Sequence, residues 1–204
     1  TFPYSTVSEF LGLASIIENV GVGAYLYKAQ FISNKQYLTA AASILGIESR
    51  HQALITEFTG RDGIPNAFET PLTGSEVISL AGPFFASCPA SNPMLPFVSF
   101  PALTVTTASP AVGQPVSFTL PEGTKGDVYI FFLNGLASIP VKLVNGQATI
   151  PEGLSGTIYA IASKDKDVAN DDTTIAGPAI IDIRSADSTA YTGTKSKRAV
   201  EFKY

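Results

Sequence analysis

The spacing of apolar residues changes once along this chain, close to residue 100. Between residues 7 and 59, apolar side chains recur at intervals of three and four, which is the period of one face of an amphipathic helix. After residue 101 the interval is two, which is the period of a β-strand with one buried face. The sequence therefore predicts a helical part followed by an all-β part.

The helical part predicts two helices joined by a short turn. Thr6, or the serine before it, is expected to cap the first helix, and Glu9 follows three residues later, as in a capping box. The Ser-Asn pair at 33–34 provides a turn and a cap for the second helix, and Gly60 is a suitable end for it. We therefore expect residues 1–60 to form an antiparallel helical hairpin.

The rest of the chain divides into three segments. Residues 61–100 are rich in proline and predict an ordered connector with one short helix that has Thr73 or Ser75 near its start. Residues 101–186 contain seven short strand candidates, and Asn145-Gly146 is typical of a type I′ hairpin turn. This density of strands is typical of an immunoglobulin-like β-sandwich. The basic segment 187–204 predicts a solvated C-terminal tail.

The composition limits the class of protein. Charged residues make up 15% and hydrophobic residues 45% of the 204 residues, so a buried core is expected and disorder is not. The net charge of -4 gives no reason to expect nucleic-acid binding. We find no uninterrupted apolar run that predicts a membrane span. The low charge, the scarcity of cysteine and the many Ser, Thr, Pro and Gly residues favour a secreted protein.

Two further features leave alternatives open. Cys88 is the only cysteine, so it is either a free buried thiol or the partner of a cysteine outside the visible chain. The Val-Gly-Val-Gly sequence at 20–23 is unfavourable inside a helix. It either allows another helix to approach closely or marks a weak point.

Glu48 and His51 form a Glu-x-x-His pair, and His51 is the only histidine in the chain. Residues three apart share one face of a helix. Glu18 precedes the predicted turn by about fifteen residues, and Glu48 follows it by about as many. At about 1.5 Å per residue, both carboxylates therefore lie at nearly the same distance from the turn along the hairpin axis. Dimetal four-helix bundles use one Glu from each of two helices and a Glu-x-x-His from each of the others. The three residues are therefore candidate metal ligands, with a solvated helix face as the alternative.

The helical sequences resemble a known family. "ENVGVGAYLYKAQF" and "YLTAAASILGIESRHQALI" are similar to the second helical hairpin of the ferritin-like domain in fungal secreted stress-response and desiccation-related proteins. The connector "ETPLTGSEVISLAGPFFASCPASNPMLPFVSFPALTV" resembles the segment that follows the bundle in that family. The resemblance covers residues 7–106 and implies that this chain corresponds to the C-terminal portion of such a protein.

The resemblance implies that Glu18, Glu48 and His51 are ligand positions for a transition-metal pair of iron or manganese. The second Glu-x-x-His of a complete bundle must come from elsewhere, because this sequence has one histidine. Three arrangements remain open. In the first, the other half is a cleaved N-terminal segment held as a separate chain, with Cys88 as the disulfide candidate. In the second, two copies form a homodimer whose hairpins complete one bundle. In the third, the helices pack together but bind no metal.

Two functions follow from this sequence. The first is a secreted ferritin-like protein whose dimetal-carboxylate site, completed by another chain or a second copy, serves oxygen or peroxide chemistry or protection against stress. The second is a non-catalytic cell-surface or extracellular interaction protein that binds through its β-sandwich and uses the helices as a scaffold. The surroundings of His51 discriminate between them, since a histidine that points to solvent, or that pairs only with Arg50 or a backbone carbonyl, favours the second function.

Overall fold

A computed structural model describes residues 2–183 of the protein. The predicted tail at 187–204 and the end of the predicted sandwich at 184–186 lie outside these residues.

Three α-helices occur in the described N-terminal half. They are α1 (Val7–Lys28), α2 (Lys35–Phe58) and α3 (Gly74–Ala81), and 3-10 turns follow α1 and α3 at Ala29–Phe31 and Gly82–Phe84. The first two helices form the hairpin predicted from the helical period, and α3 is the short helix predicted in the connector.

Local side-chain contacts explain where these helices begin. Thr6 accepts a hydrogen bond from the Glu9 N–H, and the Glu9 carboxylate accepts one from the Thr6 N–H, which completes the predicted capping box of α1. The Asn34 side chain caps α2 by accepting two backbone N–H groups. Thr73 and Glu76 form a second capping box at the start of α3.

Within residues 2–183, seven strands form two antiparallel sheets, and each strand overlaps one of the predicted candidates. One sheet has the order β1-β2-β5 and the other the order β4-β3-β6-β7. The strands are β1 (Thr104–Val105), β2 (Pro115–Thr119), β3 (Tyr129–Asn134), β4 (Ala137–Lys142), β5 (Gln147–Thr149), β6 (Gly156–Ser163) and β7 (Thr174–Ile183).

The Asn-Gly turn has the predicted geometry but not the predicted role. Asn145 and Gly146 have φ angles of 52° and 76°, as a type I′ turn requires. However, the strands on either side of the turn belong to different sheets, and only the bridge between Val144 and Gln147 joins them. β5 pairs with β2 instead, which buries Ala148 in the core. The turn therefore transfers the chain from one sheet to the other.

The main core lies between the two sheets. Val116 and Phe118 from the three-stranded sheet meet Ile130, Phe132 and other residues from the four-stranded sheet, and all are buried. Alternation along each strand places these side chains on one face. Two antiparallel sheets that share one core agree with the predicted all-β part, whereas the immunoglobulin-like topology stays a prediction.

The other face of the four-stranded sheet is covered by the helical part. Tyr159 of β6 packs with Val20 of α1 and Leu72 in a second buried cluster, and its hydroxyl donates a hydrogen bond to the Asn19 side chain. Leu72 also donates its N–H to the Gly23 carbonyl at 3.0 Å. The helices, the four-stranded sheet and the three-stranded sheet therefore form three successive layers.

The first helix is more apolar than the sequence patterns suggested. The segment Val7–Phe31 is long and apolar enough to cross a membrane by length and composition alone, with a mean hydropathy of 1.3. Some of its apolar residues belong to the protein core: Ile16 and Val20 pack in the cluster around Tyr159. The predicted absence of a membrane span stays a prediction.

Candidate metal centre on the helical hairpin

One side of the hairpin is fixed to the sheet by polar contacts. The hydroxyl groups of Ser15 on α1 and Thr56 on α2 are 3.0 Å apart, and both residues are buried. Arg61 donates a hydrogen bond to Ser15 and forms a 2.6 Å ion pair with Asp182 of β7. The only buried residues of α2 are Gln52 and Thr56, both polar. This side of α2 therefore faces the sheet.

The opposite side of the hairpin carries large apolar side chains that the described residues leave exposed. On α1 these are Val7, Phe10 and Ile17. On α2, five exposed large apolar residues and the exposed His51 follow intervals of seven, three, four, three and four, which places them on one face. We call this set the α2 stripe; it consists of Tyr37, Ile44, Ile47, His51, Leu54 and Phe58.

The histidine pairs with the predicted carboxylate of the other helix. His51 Nδ1 lies 3.5 Å from Glu18 Oε2, and the two side chains are 54% and 27% exposed. Because His51 belongs to the α2 stripe, the pair lies at the open side of the hairpin and not against the sheet. The structure thus brings Glu18 and His51 together, as the hairpin geometry predicts. His51 is partly exposed, but its ion-pair partner is Glu18 and not Arg50.

One carboxylate oxygen of Glu48 is packed against α1 without a hydrogen-bond donor among the described residues. Its Oε2 atom is buried and has no hydrogen-bond partner among the described residues. It lies against Gly21 of α1, where any Cβ would overlap this oxygen. Gly21 therefore creates the space that the carboxylate occupies. The mid-helix Val-Gly-Val-Gly sequence left a close helix approach and a weak point as alternatives; at Gly21 the structure shows a close approach, made by a glutamate.

The charges around Glu48 favour a cation. Burial raises the pKa of Glu48 above the usual carboxyl value, the negative charge of Glu18 raises it further, and His51 has a smaller lowering effect. A carboxylate that is partly withdrawn from water and lies near a second carboxylate is stabilised by any bound positive charge.

The donor chemistry fits a transition-metal ion, but the three residues alone do not form a closed site. Carboxylate oxygen and imidazole nitrogen are common ligands for iron and manganese. Within residues 2–183, however, no group of three or more His, Cys, Asp and Glu side chains is close enough to hold a metal ion. The assignment of Glu18, Glu48 and His51 as metal ligands therefore stays a prediction.

Cys88 lies in the connector and is exposed. The interpretation as a buried free thiol is therefore wrong, because the proline-rich segment around it runs over the surface. Cys88 forms no disulfide with any described residue, and a bond to another chain stays a prediction.

Comparison with known proteins supports the resemblance of the helical part. Residues 1–61 match the family model described as the ferritin-like domain, a span that includes α1, α2 and all three candidate ligands. No curated protein matches the chain. The fungal, secreted stress-response family stays a prediction. The helical N-terminal part is thus similar to the ferritin-like domain, and a sheet-rich region follows it.

Proposed function

We propose that this protein is a secreted ferritin-like protein whose hairpin presents half of a dimetal-carboxylate site. Glu18, Glu48 and His51 are its ligands, and a second helical hairpin supplies the remainder. The main support is that Oε2 of Glu48 is buried and has no hydrogen-bond partner among the described residues, while the Glu18–His51 pair lies nearby at the open side of the hairpin. The function we assign is metal-dependent oxygen or peroxide chemistry with a role in protection against stress.

The position of Glu48 argues against an ordinary solvated helix face. A buried carboxylate oxygen without a hydrogen-bond donor destabilises the fold by about 1–3 kcal/mol or more, because it loses its hydrogen bonds to water and forms none within the protein. A glutamate on a solvated face would turn its carboxylate outwards. Here it lies over Gly21, next to the negative charge of Glu18. A metal cation at this position would compensate both carboxylates.

The contact between Glu18 and His51 also suits metal binding. It brings a carboxylate of α1 and the imidazole of α2 to within 3.5 Å of each other, so that both side chains are available to one cation at the open side of the hairpin. When bound, an iron or manganese pair would supply electrons to oxygen or peroxide. The hairpin itself would hold the ligands in place through the Gly21–Glu48 contact and the polar contacts that fix α1 and α2 to the sheet.

Metal titration tests this function. We expect the wild-type protein to bind Co²⁺, with d–d absorption bands typical of mixed oxygen and nitrogen ligands, and to retain iron or manganese in elemental analysis. Glu48→Gln should lose most of this binding, because the amide removes the charge but keeps the shape. Glu122→Gln, at an exposed turn of the sheet region, is the matched control and should bind as the wild type does. Failure of the wild type to bind metal, or unchanged binding by Glu48→Gln, would overturn the proposal.

The composition and Cys88 support extracellular location. An exposed cysteine with no described partner can form a disulfide with a separate chain, such as a cleaved N-terminal half. Intact mass of the native protein before and after reduction tests this link. A decrease in mass on reduction would reveal a second polypeptide held through Cys88, and an unchanged mass excludes it.

The alternative function is a non-catalytic interaction protein that uses the sheet region, which we assign to the immunoglobulin-like class. The outer face of the three-stranded sheet favours it, because Thr119, Gln147 and Thr149 present exposed polar groups there. If this function is correct, the wild type binds no metal and Glu48→Gln does not change the metal titration. The titration therefore separates the two functions.

A further inference from the structure

We propose that the partner that completes the hairpin is a second copy of this chain. The two copies would dock antiparallel through the α2 stripe, about a twofold axis that passes close to Glu48. This inference rests on the proposed function and names the partner of its site.

The α2 stripe has the properties of a helix-pairing surface. Its spacing keeps large side chains, all of them apolar except His51, on the same face over most of α2, as in the seam of paired helices. The sheet already covers the opposite side of α2 through Gln52 and Thr56. Nothing among the described residues covers the stripe itself, where Tyr37 and Phe58 are both 69% exposed.

The order of residues along the stripe is compatible with twofold symmetry. Tyr37 and Phe58 end it with aromatic rings, and its midpoint falls between Ile47 and Glu48. A twofold axis perpendicular to α2 at this midpoint places Tyr37 opposite the partner's Phe58. It also brings the two Glu48 residues together, with each His51 less than one helical turn away.

This symmetry completes the ligand set. Each copy carries one single glutamate, Glu18, and one Glu-x-x-His, formed by Glu48 and His51. Two copies therefore supply the two single glutamates and two Glu-x-x-His pairs that a dimetal four-helix bundle uses. A second copy needs no ligand that this sequence does not already contain.

The size and charge of the surface also fit a second copy. The stripe is about 32 Å long at 1.5 Å per residue, and the axis of α1 lies beside it at about 10 Å. The open face of the two helices therefore measures roughly 600 Å² per copy. A dimer would bury about 1,200 Å² in total, which is the lower limit of a specific interface. A twofold axis brings like groups together, so the seam must be neutral outside the metal ligands. The α2 stripe contains no carboxylate and no Lys or Arg.

The same symmetry makes the dimer dependent on metal. Both copies of Glu18 and Glu48 meet near the axis, so four carboxylates face one another unless cations lie between them. Metal binding and pairing must then strengthen each other.

Sedimentation equilibrium of the full chain, with and without Co²⁺, tests the proposal. We expect a monomer–dimer equilibrium whose dissociation constant decreases at least tenfold when Co²⁺ is added. Ile47→Arg, next to the proposed axis, should increase that constant at least a hundredfold, because two like charges then meet in the seam. Leu136→Arg, at an exposed turn between β3 and β4, is the control and should dimerise as the wild type does. Thermal denaturation of both variants checks that they fold.

Disulfide trapping tests the orientation. In a Cys88→Ser background, a mixture of Tyr37→Cys and Phe58→Cys should form the mixed disulfide and little of either like-with-like product. Preferential like-with-like products would overturn the antiparallel arrangement.

The results separate this inference from the function on which it rests. A wild-type chain that binds Co²⁺ through Glu48 but stays monomeric overturns the second copy as partner and leaves the proposed function standing. A dimer that Ile47→Arg disrupts but that binds no metal supports the interface and overturns the proposed function. An Ile47→Arg variant that dimerises as the wild type does overturns the interface.

Discussion

The sheet region and the helical hairpin bury their apolar residues to very different extents. In the sheet region, the sixteen residues of the main core are all 7% exposed or less. In the hairpin, α2 buries no large apolar side chain at all, while five of its large apolar residues are more than 40% exposed. The sheet region thus contains its own core, whereas the hairpin packs on the sheet on one side and, in the dimer that we propose, on a second copy on the other.

Removal of a core side chain from the sheet region should have the largest effect on stability. Phe132 is fully buried between the sheets, next to Phe118. Phe132→Ala should therefore decrease the free energy of unfolding by about 3–5 kcal/mol. Urea denaturation followed by circular dichroism measures this. Leu136→Ala, four residues later and 69% exposed, should change it by less than about 0.5 kcal/mol. Similar losses in both variants would show that the core does not lie between the sheets.

Two glycines of α1 test the contrast between its covered and uncovered surface. A Cβ at Gly23 would lie 2.7 Å from Leu72 Cγ and 2.8 Å from the Thr70 carbonyl oxygen, whereas one at Gly12 would meet nothing within 4 Å. We expect Gly23→Ala to destabilise the protein by about 1–3 kcal/mol, because overpacking exceeds the gain in helix propensity. Gly12→Ala should stabilise it by up to about 1 kcal/mol.

Thermal denaturation of the two alanine variants gives the sign of each effect. Stabilisation by Gly23→Ala would mean that the hairpin does not pack closely on the segment around Leu72. Destabilisation by Gly12→Ala would mean that another surface covers α1 at that position.

The local structure could be predicted from the sequence because it depends on neighbouring residues. The change of apolar period separated helices from strands, and Thr6, Asn34 and Thr73 marked helix starts through their own side chains. Pairing over long distances could not be predicted in this way. The Asn145-Gly146 turn has the local geometry of a hairpin, but β5 leaves β4 because Ala148 finds its core position opposite Val116 of β2.

The candidate site shows the same limit. Helical spacing and the height of Glu18 and Glu48 along the hairpin predicted that these residues approach His51, and both His51 and Glu48 lie near Glu18. The sequence did not show which side of the hairpin they face. That depends on contacts across the whole chain, such as the hydrogen bond between Tyr159 and Asn19, which are 140 positions apart.

The smallest expected effect compares one capping motif in two settings. Glu9 and Glu76 each close a capping box, at the starts of α1 and α3. Hydrogen bonds from Ser5 and Thr6 lower the pKa of the exposed Glu9. Burial raises the pKa of Glu76, and the Asp171 carboxylate adds to this, although hydrogen bonds from Thr73 oppose it. The same local motif therefore contributes to stability with opposite dependence on pH.

Replacement of each glutamate by glutamine should reveal these opposite signs. The lowered pKa of Glu9 stabilises the fold at neutral pH, and this contribution is lost as the pH falls through the folded-state pKa, so Glu9→Gln should be less stable than the wild type at pH 7 and approach it in acid. Glu76 has a higher pKa in the folded state than in the unfolded state. Its ionisation therefore destabilises the fold, and this effect grows as the pH rises from the unfolded-state pKa through the folded-state pKa. Glu76→Gln keeps an acceptor for the Thr73 N–H, so its stability relative to the wild type should increase from about pH 4 to pH 7. Urea denaturation across this range measures both differences. If both differences follow pH in the same direction, then the Glu76 side chain is not buried as the structure shows.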